Sequence, residues 1–212
     1  HRGGRAYVAG YRYLLDDFRP YIYRTDDYGE SWTLLTDGTN GIPDDYPTRV
    51  VREDPDRPGL LYAGTEFGMF ISFDDGAHWQ SFQLDLPITP ITDLRVHDQD
   101  LVVSTMGRSF WVLDDVTPLH QIDETLASAE VHLFQPRDAY RVRGGSRGGG
   151  GPPSARPQYP QLGASIDYYL GDEVSGEVTL QILDQEGRIV RGFTSAEGEP
   201  RVATTAGMHR FV

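Results

Sequence analysis

The hydrophobic residues of this chain fall into short runs of strand-forming side chains. Val, Ile, Tyr, Phe and Trp gather in runs bounded by clusters of Gly, Pro, Asp and Asn. The runs AYVAGYRYL, PYIYRT and SWTLLT come first, and TRVVRED, LLYAGTE, MFISFD and HWQSFQL follow. ITDLRVHD, LVVSTM and SFWVLDD form a third group, with LHQI as one further short strand. Near-alternation at 33–35 and 94–96 predicts sheets with one buried face.

The groups repeat. YIYRTDDYGESWTLL aligns with MFISFDDGAHWQSF, so that Asp27, Gly29 and Trp32 match Asp74, Gly76 and Trp79, 47 residues apart. DLVVSTMGRSFWVLDD aligns with LLYAGTEFGMFISFDD without the turn motif, setting Asp114 against Asp74 at a spacing of 40. Repeats of about 40–50 residues built from short strands predict β-propeller blades. A β-sandwich or a β-solenoid fits the repeat length and the turn chemistry less well. Three blades cannot close a ring that needs about four to eight. The expectation is therefore an incomplete ring: the C-terminal part of a longer propeller, or blades that other copies complete.

After the third group the pattern breaks. RVRGGSRGGGGPPSARPQYP has no periodicity and reads as a flexible linker. Beyond it, Val178, Leu180 and Ile182 alternate with polar residues, Asp184-Gln185-Glu186-Gly187 makes a turn, and Arg188-Ile189-Val190 starts a return strand. This predicts part of an Ig-like antiparallel sandwich, since residues 161–212 are few against the roughly 100 of a complete one. The expected organisation is all-β: three propeller blades over 1–122, a connecting segment over 123–160, and a partial Ig-like sandwich over 161–212.

Composition narrows the function classes. The chain is ordinary in hydrophobic content at 38%, and no apolar run approaches the roughly 18 residues of a membrane span. The net charge of −13 repels phosphate, so neither nucleic acid nor anionic lipid is an expected partner. The linker arginines Arg141, Arg143, Arg147 and Arg156 make only a weak RNA-like patch. Absence of cysteine excludes a disulfide framework, a thiolate metal site and a Cys nucleophile. The six His residues show no metal spacing, and no G-x-S-x-G or strand-to-helix phosphate loop occurs. No metal and no cofactor is expected.

The two turns follow the pattern Ser/Thr-x-Asp-x-Gly-x-Ser/Thr-Trp. The first is Thr25, Asp27, Gly29, Ser31 and Trp32; the second is Ser72, Asp74, Gly76 and Trp79, with His78 in the Ser/Thr position. Asp accepts backbone N–H bonds in a tight turn, Gly takes a positive φ, and Trp offers an apolar plate for packing between blades. The paired carboxylates Asp26-Asp27 and Asp74-Asp75 resemble calcium-binding oxygen clusters, but each turn displays too few oxygens. Their expected role is structural.

These motifs resemble the Asp boxes of BNR-repeat proteins. DDFRPYIYRTDDYGESW, GLLYAGTEFGMFISFDDGAHWQSFQLDLP and TMGRSFWVLDD are most similar to the C-terminal propeller part of large exported bacterial proteins of the sortilin-like, "glycosyl hydrolase, BNR repeat" kind. Met106 stands where that family commonly has His. The resemblance implies export to the periplasm, the cell surface or beyond, and either a carbohydrate or a peptide or protein ligand. It places the Asp boxes on the face away from the ligand site. The ligand loops are then LLDDFRP, TEFG and TMGRS, which gather Asp16, Asp17, Arg19, Glu66 and Arg108 on one rim. Asp17 and Glu66 are the candidate general acid and base of glycoside cleavage, which needs carboxyls about 5–9.5 Å apart. Asp16, Arg19 and Arg108 are candidate substrate contacts. The bland alternative is an ion-pair network of Asp17 with Arg19 and Glu66 with Arg108. A non-catalytic binding or scaffold module is the leading expectation, with a glycoside hydrolase as the alternative.

Overall fold

The computed structural model describes residues 2–139, 163–198 and 200–212. The linker with its four arginines lies outside these residues. Fifteen strands among the described residues form several antiparallel sheets, with almost no helix. The sheets do not close into a barrel or ring among the described residues. Among the described residues, no helix is long and apolar enough to cross a membrane. The chain divides into two compact units, His1–Val116 and Thr117–Val212.

The first unit holds three sheets. The first sheet runs β1 (Ala6–Gly10), β2 (Tyr21–Thr25) and β3 (Thr33–Leu34). The second runs β4 (Thr48–Glu53), β5 (Leu61–Thr65), β6 (Gly68–Ser72) and β7 (Gln80–Ser81). The third runs β8 (Ile91–His97), β9 (Asp100–Thr105) and β10 (Phe110–Leu113). Each is a simple meander, so successive connections alternate between the two ends of a sheet. The β2–β3 and β6–β7 turns carry the two motifs. The β1–β2, β5–β6 and β9–β10 connections carry LLDDFRP, TEFG and TMGRS at the opposite end.

The sheets stack face to face, with β1 against β4 and β8 against β4 and β5. The middle sheet is buried on both faces, which is why β5 and β6 read as continuous apolar runs rather than alternating ones. Ile22 of the first sheet meets Val51, Leu61, Ala63, Phe70 and Trp79 of the second, together with Ile42 from the connection between them. On the other side, Gly64 lies so close to Ile91 that a Cβ there would sit 2.6 Å from the Ile91 Cγ2. Buried Thr48 ties the first two sheets: its Oγ1 accepts from the Tyr21 N–H at 3.0 Å and donates to the Tyr21 carbonyl at 2.9 Å.

The second unit opens on α1 (Thr117–Gln121). LHQI is therefore not a strand: most of it belongs to this helix. Pro118 sits in the first turn, where its missing N–H is no loss and its fixed φ suits the helix. A three-stranded sheet follows in the order β11 (Val131–Leu133), β12 (Ile166–Leu170) and β15 (Gly207–Phe211). The hairpin of β13 (Thr179–Leu183) and β14 (Ile189–Thr194) is closed by Asp184, whose Oδ1 accepts the Glu186 and Arg188 N–H groups at 3.1 and 2.9 Å. Phe193 and Phe211, with ring centres 4.7 Å apart, join hairpin and sheet over a core of Tyr168, Leu170 and Val202.

Candidate functional site

The two turn motifs build the same hydrogen-bond set. Gly29 N–H donates to Thr25 Oγ1 at 2.9 Å, and Gly76 N–H to Ser72 Oγ at 2.9 Å. Asp27 Oδ1 accepts the Ser31 N–H at 2.9 Å, and Asp74 Oδ1 the His78 N–H at 2.8 Å. The hydroxyls of Thr25 and Ser72 donate to their aspartates at 2.7 and 2.8 Å. The Ser31 hydroxyl reaches Asp27 Oδ2 at 2.5 Å, and His78 Nδ1 occupies the same place on Asp74 at 2.6 Å. His78 thus substitutes functionally for Ser in the turn. The residue between Asp and Gly also takes positive φ, at 59° for Tyr28 and 64° for Asp75, beside 94° and 88° for Gly29 and Gly76.

This saturation depresses both carboxyls. The Ser31 hydroxyl, then the Ser31 N–H and Thr25, bring Asp27 to about 2 from its ordinary 3.8. Burial pushes Asp74 up, but the bonds from His78 and Ser72 outweigh it and leave it below its ordinary value. Folded values lie below unfolded ones, so the ionised turns stabilise the fold above about pH 4 and lose that contribution as pH falls through the folded values. The urea midpoint is expected to be flat from neutral to about pH 5 and to drop between about pH 4 and 2. The drop should be shallower in Asp27→Asn. A midpoint that rises through that window refutes the reading.

The neighbouring carboxylates clamp the first two sheets. Arg5 Nε donates to Asp26 Oδ1 at 2.6 Å and its Nη1 to Asp75 Oδ2 at 2.8 Å. Arg24 Nη1 reaches the same Asp75 oxygen at 2.6 Å, and the Tyr7 hydroxyl donates to Asp75 Oδ1. Asp75 is therefore held by two arginines across the sheet interface, and Asp26 by the same arginines within the first sheet. Asp26 is held below its ordinary value by Arg5 first.

At the opposite end lies the rim. Asp17 accepts a fork from Arg19, Nε to Oδ1 and Nη2 to Oδ2, both at 3.1 Å. The Tyr21 hydroxyl donates to Oδ2 at 2.8 Å, and Arg12 Nη1 lies 3.3 Å away. The Arg19 and Tyr21 bonds hold the Asp17 carboxyl well below the usual carboxylate range. Glu66, in the β5–β6 turn, accepts from Arg49 Nε at 2.7 Å and from the Tyr11 hydroxyl. Partial burial, then Glu66, push the Tyr11 hydroxyl up to about 12. Arg49 also stacks over the Tyr11 ring at 4.8 Å.

The expected Glu66–Arg108 pair does not form: Glu66 takes Arg49 instead. Arg108 is exposed and makes no ion pair among the described residues; its backbone carbonyl accepts the Trp111 indole N–H at 2.8 Å. Asp16 is exposed at φ 58°, ending a short 3-10 turn (Tyr13–Leu15). Asp16, Asp17 and Arg19 line an open depression of about 520 Å³ with Phe18, Asp44 and Asp45. The β1–β2 loop beside it exposes Leu14 and Leu15, at 82% and 70%.

A general acid must hold a proton near neutral pH, and Asp17 is biased the other way. Sequence reasoning missed Arg49, Tyr11, Arg12, Tyr21, Asp44 and Asp45. Arg49 lies 17 residues from Glu66, and only the packed β4–β5 ladder brings the two together. No protein-family model and no curated protein matches the chain.

Proposed function

We propose that this chain is a non-catalytic binding and scaffold module: blades of an Asp-box β-propeller from an exported protein of the BNR-repeat kind, followed by a small Ig-like module. The observation that carries the reading is the engagement of both rim carboxylates, Asp17 by Arg19, Arg12 and Tyr21, and Glu66 by Arg49 and Tyr11. Such pairs shape and stiffen the rim and commit both carboxylates to partners of their own chain. The blade assignment is supported by stacked meanders in repeat register and by two turns with one hydrogen-bond set. The Ig-like assignment is supported by the two small sheets joined through Phe193 and Phe211. Glycans and polypeptides are both candidate ligands. The exposed pair Leu14–Leu15 beside Asp16, Asp44 and Asp45 favours a polypeptide with apolar and cationic side chains.

The purified chain is expected to bind saturably on a peptide or glycan array and to cleave no polysaccharide or sialoside. Leu14→Ser with Leu15→Ser should weaken binding about tenfold or more, as loss of a central apolar anchor does. Glycan hydrolysis that disappears in Asp17→Asn or Glu66→Gln overturns the reading.

A further inference from the structure

Asn40 is the only asparagine of the chain, and a glycine follows it. The side-chain amide of asparagine is open to attack by its own backbone, because the nitrogen of the next residue reaches Cγ and closes a small ring. A side chain on that next residue hinders the approach, and glycine has none. The pair is therefore the position in this sequence most prone to spontaneous covalent change.

The joint between the first two sheets is built on the same residue. Asn40 Nδ2 donates to the carbonyls of Leu35 at 2.8 Å, Ala77 at 3.2 Å and Gly76 at 3.4 Å. Leu35 follows the last strand of the first sheet, while Gly76 and Ala77 belong to the second turn motif. The Asn40 carbonyl accepts the Trp79 N–H at 2.8 Å. All three side-chain contacts need a donor, and only the amide supplies one. The attacking atom is unencumbered: the Gly41 N–H donates no hydrogen bond among the described residues. Gly41 is exposed to water and Asn40 half-buried, so both solvent base and the water that completes the reaction reach the pair.

We propose that Asn40 is a site of spontaneous covalent modification that opens this joint irreversibly. The Gly41 nitrogen gives its proton to solvent and bonds to the Asn40 Cγ. The Cγ–Nδ2 bond breaks, and Nδ2 takes up a proton and leaves as ammonia. Water then opens the succinimide. Cleavage at Cγ gives aspartate, and cleavage at the main-chain carbonyl carbon gives isoaspartate. Either product lacks the Nδ2 donor, so the carbonyls of Leu35, Gly76 and Ala77 lose it together. The aspartyl product sets a carboxylate against those oxygens. The isoaspartyl product runs the main chain through Cγ and makes a carboxylate of the carbonyl that holds Trp79. The three bonds slow the reaction while the joint is shut, and their loss prevents the joint from re-forming afterwards. This goes beyond the binding role above and does not rest on it.

The whole chain, kept folded at mildly alkaline pH and sampled over weeks, tests this. Its intact mass is expected to rise by one unit as NH2 gives way to OH, and peptide mapping should place the gain at residue 40. An isoaspartyl methyltransferase should label the aged chain and leave the fresh chain unlabelled. The urea midpoint of the aged chain should fall to that of Asn40→Asp or below it. The same chain unfolded in urea should convert faster, and Asn40→Gln, whose longer side chain closes the ring poorly, should keep its mass whether or not it is less stable. A folded chain that keeps its mass while the unfolded chain converts overturns the proposal. So does a gain that persists in Asn40→Gln, or a converted chain whose urea midpoint equals that of fresh protein.

Discussion

Trp79→Ala is expected to destabilise the first unit by roughly 3–5 kcal/mol, whereas Trp32→Ala, at the same place in the same motif, should cost less than about 1 kcal/mol. The indole of Trp79 is 4% exposed and lies within the cluster of Ile22, Ile42, Val51, Leu61, Ala63 and Phe70. Its N–H donates to the Leu35 carbonyl of the preceding repeat at 3.4 Å. Truncation removes a large apolar plate and leaves a cavity between two sheets whose spacing is fixed by the hydrogen bonds joining them. Trp32 is 46% exposed, and its N–H bonds only to the Gly29 carbonyl in its own turn, at 3.2 Å. Urea denaturation followed by tryptophan fluorescence checks the contrast. The three tryptophans of the chain all fall before residue 117, so the signal reports the first unit alone, and two remain in either variant. Equal losses in the two variants would show that the motif, and not the stacking, sets the energetics.

That contrast also marks what a linear sequence can convey. Strand positions were legible because β-branched and aromatic runs between turn residues have few other uses: β4, β5 and β8 fall within the expected runs, and β6 and β9 begin one residue before theirs. The hydrogen bonds of the two turns were legible because they are local, joining residues two to four apart. The burial of the two tryptophans was not, because it depends on which sheet stands in front of each. The rim was legible in part for the same reason. Asp17 with Arg19 is a contact across two residues. Glu66 with Arg49 and Tyr11 spans a ladder and a sheet interface, and the apparent partner Arg108 is drawn only from a repeat alignment. The helix Thr117–Gln121 shows a further limit: the four residues LHQI carry no period long enough to separate helix from strand, and Pro118 decides.

The seam between the first two sheets yields the second large effect. Gly41→Ala is expected to cost about 3 kcal/mol or more, combining the positive-φ penalty with displacement of packed backbone. Gly41 has φ 119°, and a Cβ there would lie 1.8 Å from the Trp79 carbonyl oxygen and 2.6 Å from its carbon. The obstacle is main chain, which cannot swing aside as a side-chain tip can. It is also main chain fixed from both sides: the Trp79 N–H donates to the Asn40 carbonyl at 2.8 Å, while the Asn40 amide donates to the Leu35 and Ala77 carbonyls at 2.8 and 3.2 Å. Moving residue 41 away from Trp79 therefore breaks the bonds that bring the two sheets together, and it pulls on Ile42, which is fully buried beside the indole. Gly107→Ala separates the two contributions. Gly107 has φ 84° in the β9–β10 turn with nothing within 4 Å of the added carbon, so only the conformational penalty applies, about 1 kcal/mol. Urea midpoints that fall alike in the two variants would mean that the loss at residue 41 is conformational and that the 40–42 segment does not hold the sheets together. A fall at Gly41 several times that at Gly107, with Asn40→Ala also destabilising, would assign the seam to this backbone joint.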